Sequence, residues 1–486
     1  MVLIWAPSFG AFFSCLHSCS STNGGHFLAA RACGVRVLEF FLGMPCRFNV
    51  HHVSKRIGTK FGVTPLLLGG YAEICGMDPT EVDCAPQVLA AIHRHGTVRV
   101  DLLAQELDLK VSDVEEACSL LYGWGSIVPS DEASDHDADD EVSSRDFPLA
   151  FAAAARDAQG NTIYDGRSFD RSSATKVGEP WDPPMDDRAF FELERSHTYV
   201  GKGFWKRAFM LVAGIAVNIL TGFLLVIAVY SVLGVLMPID ANVLGEIVAD
   251  SPAEAAGLKQ GDCVIAVNGE RVDSWLELLD AFDAADHEGE VELDLWRPNN
   301  VDMAFDHLPI DDSFDSGSWA HENGTFLTVG VSFDDDGLLG ISAPTQVVRL
   351  NPLQSCQIAI DNIVATAQSV GSLLNPRHTM EVLDNSTSVV GISVMSAQAA
   401  AEGPATFLNL AALISFSLGF MNLLPIPPLD GGRFVIEVFQ KISRKVVTMR
   451  ALNYLSAAGM ILFIGFFLFM ANQDIQRIIS GAGFGG

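Results

Sequence analysis

The chain has no Cys-x-x-Cys pair. Its nine cysteines are scattered along 486 residues, a spacing that gives neither a disulfide framework nor a zinc ribbon. Positive charge is scarce: 30 Lys and Arg stand against 59 Asp and Glu, for a formal net charge of −29 and a pI of about 4.6. Overall charge therefore gives no support to a nucleic-acid role. The apolar stretch at residues 2–16 lacks a basic flank and is broken by Pro7, Ser8 and Gly10, which argues against a signal peptide.

What is abundant is apolar sequence. Hydrophobic residues make up 49% of the chain and mean hydropathy is +0.28. The apolar residues are clumped rather than spread. Three runs are long enough for the roughly 20 residues a bilayer crossing takes: Ala208 to Leu236, Ala405 to Leu424 and Leu452 to Met470. Lys202, Lys206 and Arg207 flank the first; Arg433, Lys441, Arg444, Lys445 and Arg450 lie between the second and third. By the positive-inside bias both basic sets face the cytoplasm, and the acidic segment 237–404 lies outside.

Along the chain, a helix over His26 to Cys33 leads into short strands around residues 58–63 and 66–71, with Gly69-Gly70 marking a turn or bulge. Residues 84–129 read as three helices (Pro86 to His95, Val100 to Leu109, Ser112 to Trp124) and a wing over Gly125–Pro129. This resembles a winged helix-turn-helix. Its third helix carries Asp113, Glu115 and Glu116, so a packing or protein-binding module is expected there, not duplex binding. Residues 131–200, acidic and then Pro-rich, read as a disordered linker. Val243–Val248, Ser251-Pro-Ala253, Ala256-Gly-Leu258, Gly261-Asp262 and Val264–Gly269 together resemble a bacterial PDZ domain, which takes an extended peptide as an added strand.

The densest signal is Asn422-Leu-Leu-Pro-Ile-Pro-Pro-Leu-Asp430-Gly-Gly. An ionisable residue at the end of a membrane helix is costly and marks a functional position. Pro425, Pro427 and Pro428 break the helix, which is tolerated where protein or water lines the gap. A carboxylate there suits a metal, since carboxylate oxygen is an ordinary zinc ligand; the alternative is a cap for the next helix. The motif resembles the second signature of the site-2 proteases. Gly25-His26-Phe-Leu-Ala-Ala-Arg31 resembles the tail of their first signature, residues 58–71 their membrane-dipping β segment, Ala213-Gly214…Asn218 their second span, and Val390-Gly-Ile392 the stretch before their third. The resemblance implies Zn2+ held by His26 and Asp430, with Asn422, Gly69 and Gly70 handling substrate.

The family's first signature is His-Glu-x-x-His on a helix. Four residues advance a helix by about 400°, so both histidines face one zinc, and the glutamate is general base to the bound water. Counting back from His26, Thr22 stands at the first histidine and Asn23 at the glutamate. Two ligands and no base remain. His17, between Cys15 and Cys19, offers no substitute, because positions i, i+2 and i+4 do not share a helix face.

The codons suggest a cause. Residues 12–21 are Phe-Phe-Ser-Cys-Leu-His-Ser-Cys-Ser-Ser, mostly encoded by codons that begin with T. One base earlier those T bases become middle bases, which encode only Phe, Leu, Ile, Met and Val: an apolar first span. With Ser21-Thr22-Asn23 as TCC-ACG-AAC, that frame reads CAC-GAA, His-Glu; loss of one base then restores Gly24-Gly25-His26. Residues 1–23 are accordingly expected to be a frameshifted first helix.

The sequence thus implies a mainly α, polytopic membrane protein: a transmembrane helical metalloprotease core with an inserted PDZ (α+β) domain and a small winged-helix-like insert. The divisions are 1–77 (first span, metal motif and β segment), 78–130 (winged-helix-like insert), 131–200 (linker), 201–238 (span), 240–300 (PDZ domain), 301–400 (extracytoplasmic β and amphipathic region) and 401–486 (spans with the Asp430 motif). The resemblance implies a zinc metalloendopeptidase of the bacterial cytoplasmic membrane that cleaves single-pass membrane proteins such as anti-sigma factors and binds peptide through its PDZ domain. The alternative is a catalytically dead peptide-binding relative. No nucleic-acid partner is expected.

Overall fold

The computed structural model describes residues 21–46, 48–66, 69–77, 80–130, 147–285, 289–300, 318–334, 337–373, 388–445 and 447–480. The stretch 2–16, the Cys15-x-His17-x-Cys19 group and the acidic run 131–146 lie outside the described residues. The chain forms two compact units: Met1–Ile227 with Leu353–Gly486, and Ala228–Pro352.

In the first unit a helix over residues 21–32 (α1) lies against a four-stranded sheet. The strands β1 (Val37–Leu42), β2 (Val50–Val53), β3 (Lys60–Val63) and β4 (Gly70–Ile74) run in the order β2-β3-β1-β4. Phe27 of α1 seats edge-on against Phe40 and Phe61, at 5.5 and 5.6 Å between ring centres, while Ala29 and Ala30 are buried. Small residues on one side and an aromatic on the other thus fix how α1 sits. β2 is an edge strand with all four residues exposed.

Next comes α2 (Ala85–His95), β5 (Thr97–Arg99), α3 (Val100–Glu106), α4 (Val111–Gly123), β6 (Ile127–Pro129) and β7 (Ala150–Ala153). The helices follow the apolar periodicity: Val88, Leu89 and Ile92 of α2, Leu103 of α3, and Val114, Ala117 and Leu121 of α4 bury one shared core. The strands pair in the order β5-β7-β6. Residues 147–200 are not a linker. β7 is the central strand of this sheet, and α5 (Asp187–Ser196) packs Phe190 into the same core. The linker reading fails because much of what this segment buries is charged. Glu194 of α5 accepts from Arg36 at 2.7 and 3.0 Å and from Arg156 at 2.6 and 2.8 Å, and Arg36 also donates to Asp165 at 2.7 Å. Arg36, Arg156 and Glu194 are at most 1% exposed. Burial pushes the Glu194 carboxyl up, but the two guanidiniums outweigh it and hold it well below the usual carboxylate range.

His93 sits beside this cluster. Its Nδ1–H donates to the Leu89 carbonyl at 2.9 Å and its Nε2 accepts from Arg156 Nε at 3.1 Å. Burial, and then the Arg156 guanidinium, push its pKa down to about 3. An unfolded histidine takes its proton near pH 6.5, so the unfolded chain binds more protons between about pH 6.5 and 3 and stability falls as pH drops through that window. Glu194 loses stability in the same direction, at lower pH. Lowering pH from 7 to 5 is expected to cost on the order of 1–2 kcal/mol through His93. Thermal unfolding of the full chain in detergent reads this slope, and His93→Gln should remove most of it. An unchanged slope in that variant would assign the effect elsewhere.

Among the described residues, three helices are long and apolar enough to cross a membrane: Phe204–Leu233, Pro404–Leu423 and Ala451–Ile479. Each overlaps a run expected from hydropathy. The first comprises α6 (Phe204–Ala228) and one further turn; the second is a single helix, and the third is the apolar part of Met449–Ser480.

The second unit carries β8 (Val235–Pro238), α7 (Pro252–Ala255), β9 (Cys263–Val267), β10 (Glu270–Arg271), α8 (Trp275–Asp283) and β11 (Glu290–Pro298). α9 (Ser318–Asn323), β12 (Gly324–Ser332) and β13 (Thr345–Val348) follow. Its main sheet runs β10-β9-β11-β12, and β11 pairs with β12 from Glu290↔Ser332 to Pro298↔Gly324. The folded unit therefore extends past the expected boundary at residue 300. Val331 and Leu339 complete a core begun by Leu244, Val264 and Leu293.

Candidate metal centre

Two helices, α10 (Pro352–Ser372) and α11 (Val389–Glu402), precede α12 (Pro404–Leu423) and α13 (Asp430–Ser443), and the centre forms where α1, α6, α12 and α13 converge. After α12 the prolines prevent helix continuation, and the chain turns sharply into α13. A Cβ at Gly431 would lie 2.2 Å from the Leu423 carbonyl oxygen, so the residue after Asp430 must be glycine for the turn to close. Asp430 is the first residue of α13, whose N-cap is Leu429, with no side-chain cap bond. Its carboxylate is not spent on capping. Asp430 Oδ2 lies 3.0 Å from His26 Nε2, a contact across 404 residues of sequence.

Two neighbours on α6 place the imidazole. The Met210 carbonyl lies 2.8 Å from Nδ1, and a Cβ at Gly214 would come within 2.3 Å of Nε2. With Nδ1–H donating to Met210, the neutral ring offers its Nε2 lone pair toward Asp430; the tautomer follows from the partners. The 3.0 Å contact requires a proton between nitrogen and carboxylate, and a metal held there takes that proton's place. His26 Nε2 and Asp430 Oδ2 are the two groups that would hold such an ion, since imidazole nitrogen and carboxylate oxygen are ordinary zinc ligands.

Thr22 and Asn23 occupy the preceding turn of α1. Thr22 Oγ1 accepts from Asn218 Nδ2 at 2.6 Å, and Ser21 Oγ donates to Asn218 Oδ1 at 2.6 Å. Thr22, Asn23, His26, Gly69, Gly70, Asn422 and Asp430 all line one cavity of about 460 Å³, so the residues at the expected metal, base and substrate positions open onto one space. Gly70 begins β4, and the carbonyl of Gly69 accepts from the Gly43 amide at 2.7 Å. Sequence reasoning missed the roles of Met210, Gly214 and Asn218. Asn218 carried a signal, a buried amide inside an apolar span. Met210 acts through its backbone and leaves no mark in residue type; Gly214, quoted above only for the second-span resemblance, acts through its missing side chain.

The donor set falls short of a zinc site. Among the described residues, no group of three His, Cys, Asp or Glu side chains converges. One imidazole and one carboxylate remain where a catalytic zinc takes three protein ligands. A threonine hydroxyl and an asparagine amide supply neither the missing ligand nor a base.

A histidine–aspartate pair packed against membrane-crossing helices, at the proline break after one of them, defines an intramembrane metallopeptidase framework. The profile of peptidase family M50 matches residues 24–466, and the chain belongs to that family. It is 28% identical over 466 residues to the zinc metalloprotease RasP of Geobacillus kaustophilus, covering 92% of this chain and 90% of the relative. To the zinc metalloprotease RasP of Shouchella clausii it is 27% identical over 472 residues, covering 94% and 95%. To the regulator of sigma-W protease RasP of Bacillus subtilis it is 24% identical over 456 residues, covering 93% and 94%. The chain is thus a membrane protein of a zinc metalloprotease family, and Zn2+ is the cofactor expected of it. The family match begins at Gly24, directly after the two departing positions.

Proposed function

We propose that this fold is the framework of an endopeptidase that cuts single-pass membrane proteins within the bacterial cytoplasmic membrane, and that the polypeptide as written holds such substrates without cutting them. The observation that carries the reading is the His26–Asp430 contact at 3.0 Å, in one cavity with Asn422, Gly69 and Gly70 and with Thr22 and Asn23 on the turn before it. In the intact relative, zinc would polarise the scissile carbonyl. In this chain, Met210 and Gly214 orient the imidazole, Asn422 offers an amide to a substrate backbone, and the strand edge at Gly69 and Gly70 offers main-chain groups to an extended segment. The sigma-W relative supports membrane-protein substrates. That the family match begins at Gly24 supports a shifted reading frame through codon 23.

The remaining modules fit this reading. Three helices with a sheet ordered β5-β7-β6 support a winged-helix arrangement for the insert, whose α4 exposes Asp113 and Glu116 and so favours protein over nucleic acid. The sheet β10-β9-β11-β12 with α7 and α8 supports a PDZ-type peptide binder.

The decisive experiment sets this chain and its Thr22→His/Asn23→Glu variant beside a single-pass membrane reporter already trimmed outside the bilayer. Cleavage by the variant alone, abolished by Asp430→Asn, is the expected result. Gly214→Ala in the restored background should lower zinc affinity by at least about tenfold, the scale at which misoriented ligands lose metal, because the new methyl group displaces the ring. Unchanged zinc retention in a metal-competition titration would remove Gly214 from the positioning role.

A further inference from the structure

A second cavity, of about 400 Å³, is lined by Arg207, Gln440, Lys441, Arg444 and Lys445. Four of its five lining residues are cationic, and none is acidic. Arg207 stands in the first turn of α6, at the mouth of the 30-residue apolar helix Phe204–Leu233. Lys441 is in the last turn of α13, and Arg444 and Lys445 follow it. Two basic sets more than 200 residues apart in sequence thus meet at the end of one membrane helix. The only carboxylate paired with the cavity's cations among the described residues is that of Glu437, whose Oε2 lies 3.3 Å from Arg207 Nη1. Arg207 Nε is buried without a hydrogen-bond partner. Lys441, Arg444 and Lys445 are exposed and positive charge remains in excess.

The surroundings say what kind of anion fits. On α13, successive residues turn by 100°. Arg433, Glu437, Gln440, Lys441 and Arg444 therefore share one face, and Val435, Phe439 and Ile442 fall on the opposite one. That apolar stripe is exposed, Ile442 at 78%. Trp205, two residues before Arg207, is 81% exposed. An uncovered apolar stripe, an exposed tryptophan and a basic face on one amphipathic helix are the pattern of a helix lying in the membrane interface, its apolar side in the acyl region and its cations at headgroup depth. A soluble anion would need only the cations; a lipid also needs the apolar flank.

We propose that this cavity binds the phosphate-bearing headgroup of an anionic phospholipid, whose acyl chains enter the same apolar layer as Val435, Phe439 and Ile442. Arg207, Lys441, Arg444 and Lys445 supply the donors, and Gln440 adds a neutral one for the phosphate or the glycerol. The site uses neither Thr22 nor Asn23, so the chain as written serves for the test.

The full chain, purified in a neutral detergent, is titrated with dioctanoyl phosphatidylglycerol, dioctanoyl phosphatidylcholine or inorganic phosphate, and binding is followed by native mass spectrometry and thermal shift. Phosphatidylglycerol is expected to bind, with phosphatidylcholine and phosphate at least tenfold weaker. Lys441→Gln/Arg444→Gln/Lys445→Gln should weaken phosphatidylglycerol by roughly 100-fold, at about fivefold per cation near an anionic surface. All three side chains are exposed, so the variant should fold; Lys441→Arg/Lys445→Arg keeps the charge and should keep the affinity. Equal binding by the triple variant, or inorganic phosphate competing as well as the lipid, would overturn the proposal.

Discussion

Thr22→His with Asn23→Glu is expected to turn a chain that retains almost no zinc into one that retains close to one zinc per chain, and an inert chain into a protease. The geometry is already prepared. Residue 22 is one helical turn from His26, on the same face of α1 and the same cavity wall. The hydroxyl of Thr22 gives up a bond from Asn218 Nδ2, and the neighbouring Asn218 Oδ1 can accept the second ring N–H of the introduced imidazole, which orients it. Three ligands then replace two, the number a catalytic zinc uses. The introduced glutamate supplies the base, worth ~10²–10⁴ in rate by itself; with the ligand restored as well, the gain in cleavage is expected to exceed ~10²-fold. Each single substitution should recover less: Thr22→His restores metal without rate, and Asn23→Glu neither. Metal analysis after dialysis, together with cleavage of the trimmed reporter, reads both. Near-stoichiometric zinc in the chain as written, or a double variant that takes up none, would sink this account of the site.

How far the sequence led depends on what kind of physics held each part. Asp430 was legible because a carboxylate at a proline-broken membrane helix has few uses, and His26 because it closes a family signature. That the two side chains meet at 3.0 Å is a fact of tertiary structure no local pattern contains. The helices α2, α3 and α4 were legible because their cores are periodic and apolar. Residues 147–200 were not, because composition reads Arg156, Asp165 and Glu194 as solvated charge. Only the fold reveals that these charges satisfy one another in the interior. The boundary near residue 300 failed for a related reason. β12 begins at Gly324, and nothing in its own sequence names β11 as its partner. Met210 and Gly214 show the limit most plainly, since a carbonyl and an absent methyl group orient the imidazole.

Glu194→Ala is expected to be the most damaging single substitution in the first unit. The Glu194 carboxylate is fully buried and neutralises two buried guanidiniums, those of Arg36 and Arg156, while also accepting from Ser126 Oγ. With Asp165 the cluster holds two positive and two negative groups. Removing one carboxylate leaves an uncompensated buried cation, for which the usual cost is about 3–5 kcal/mol. The residues joined are far apart in sequence: Arg36 precedes β1, Arg156 follows β7, Asp165 lies between β7 and α5, and Glu194 is on α5. The cluster therefore ties the insert to the sheet that carries Gly70. Loss of Glu194 should release the insert first, as new proteolytic cleavage within residues 85–200, while the membrane helices keep their far-UV circular dichroism. Glu194→Gln fills the space and keeps hydrogen bonds but not charge, so a smaller loss is expected there. If Glu194→Ala left thermal stability and proteolysis unchanged, the charge cluster would be a by-product of burial, and the packing of Phe190, Leu89 and Ile92 would have to hold the insert in place unaided.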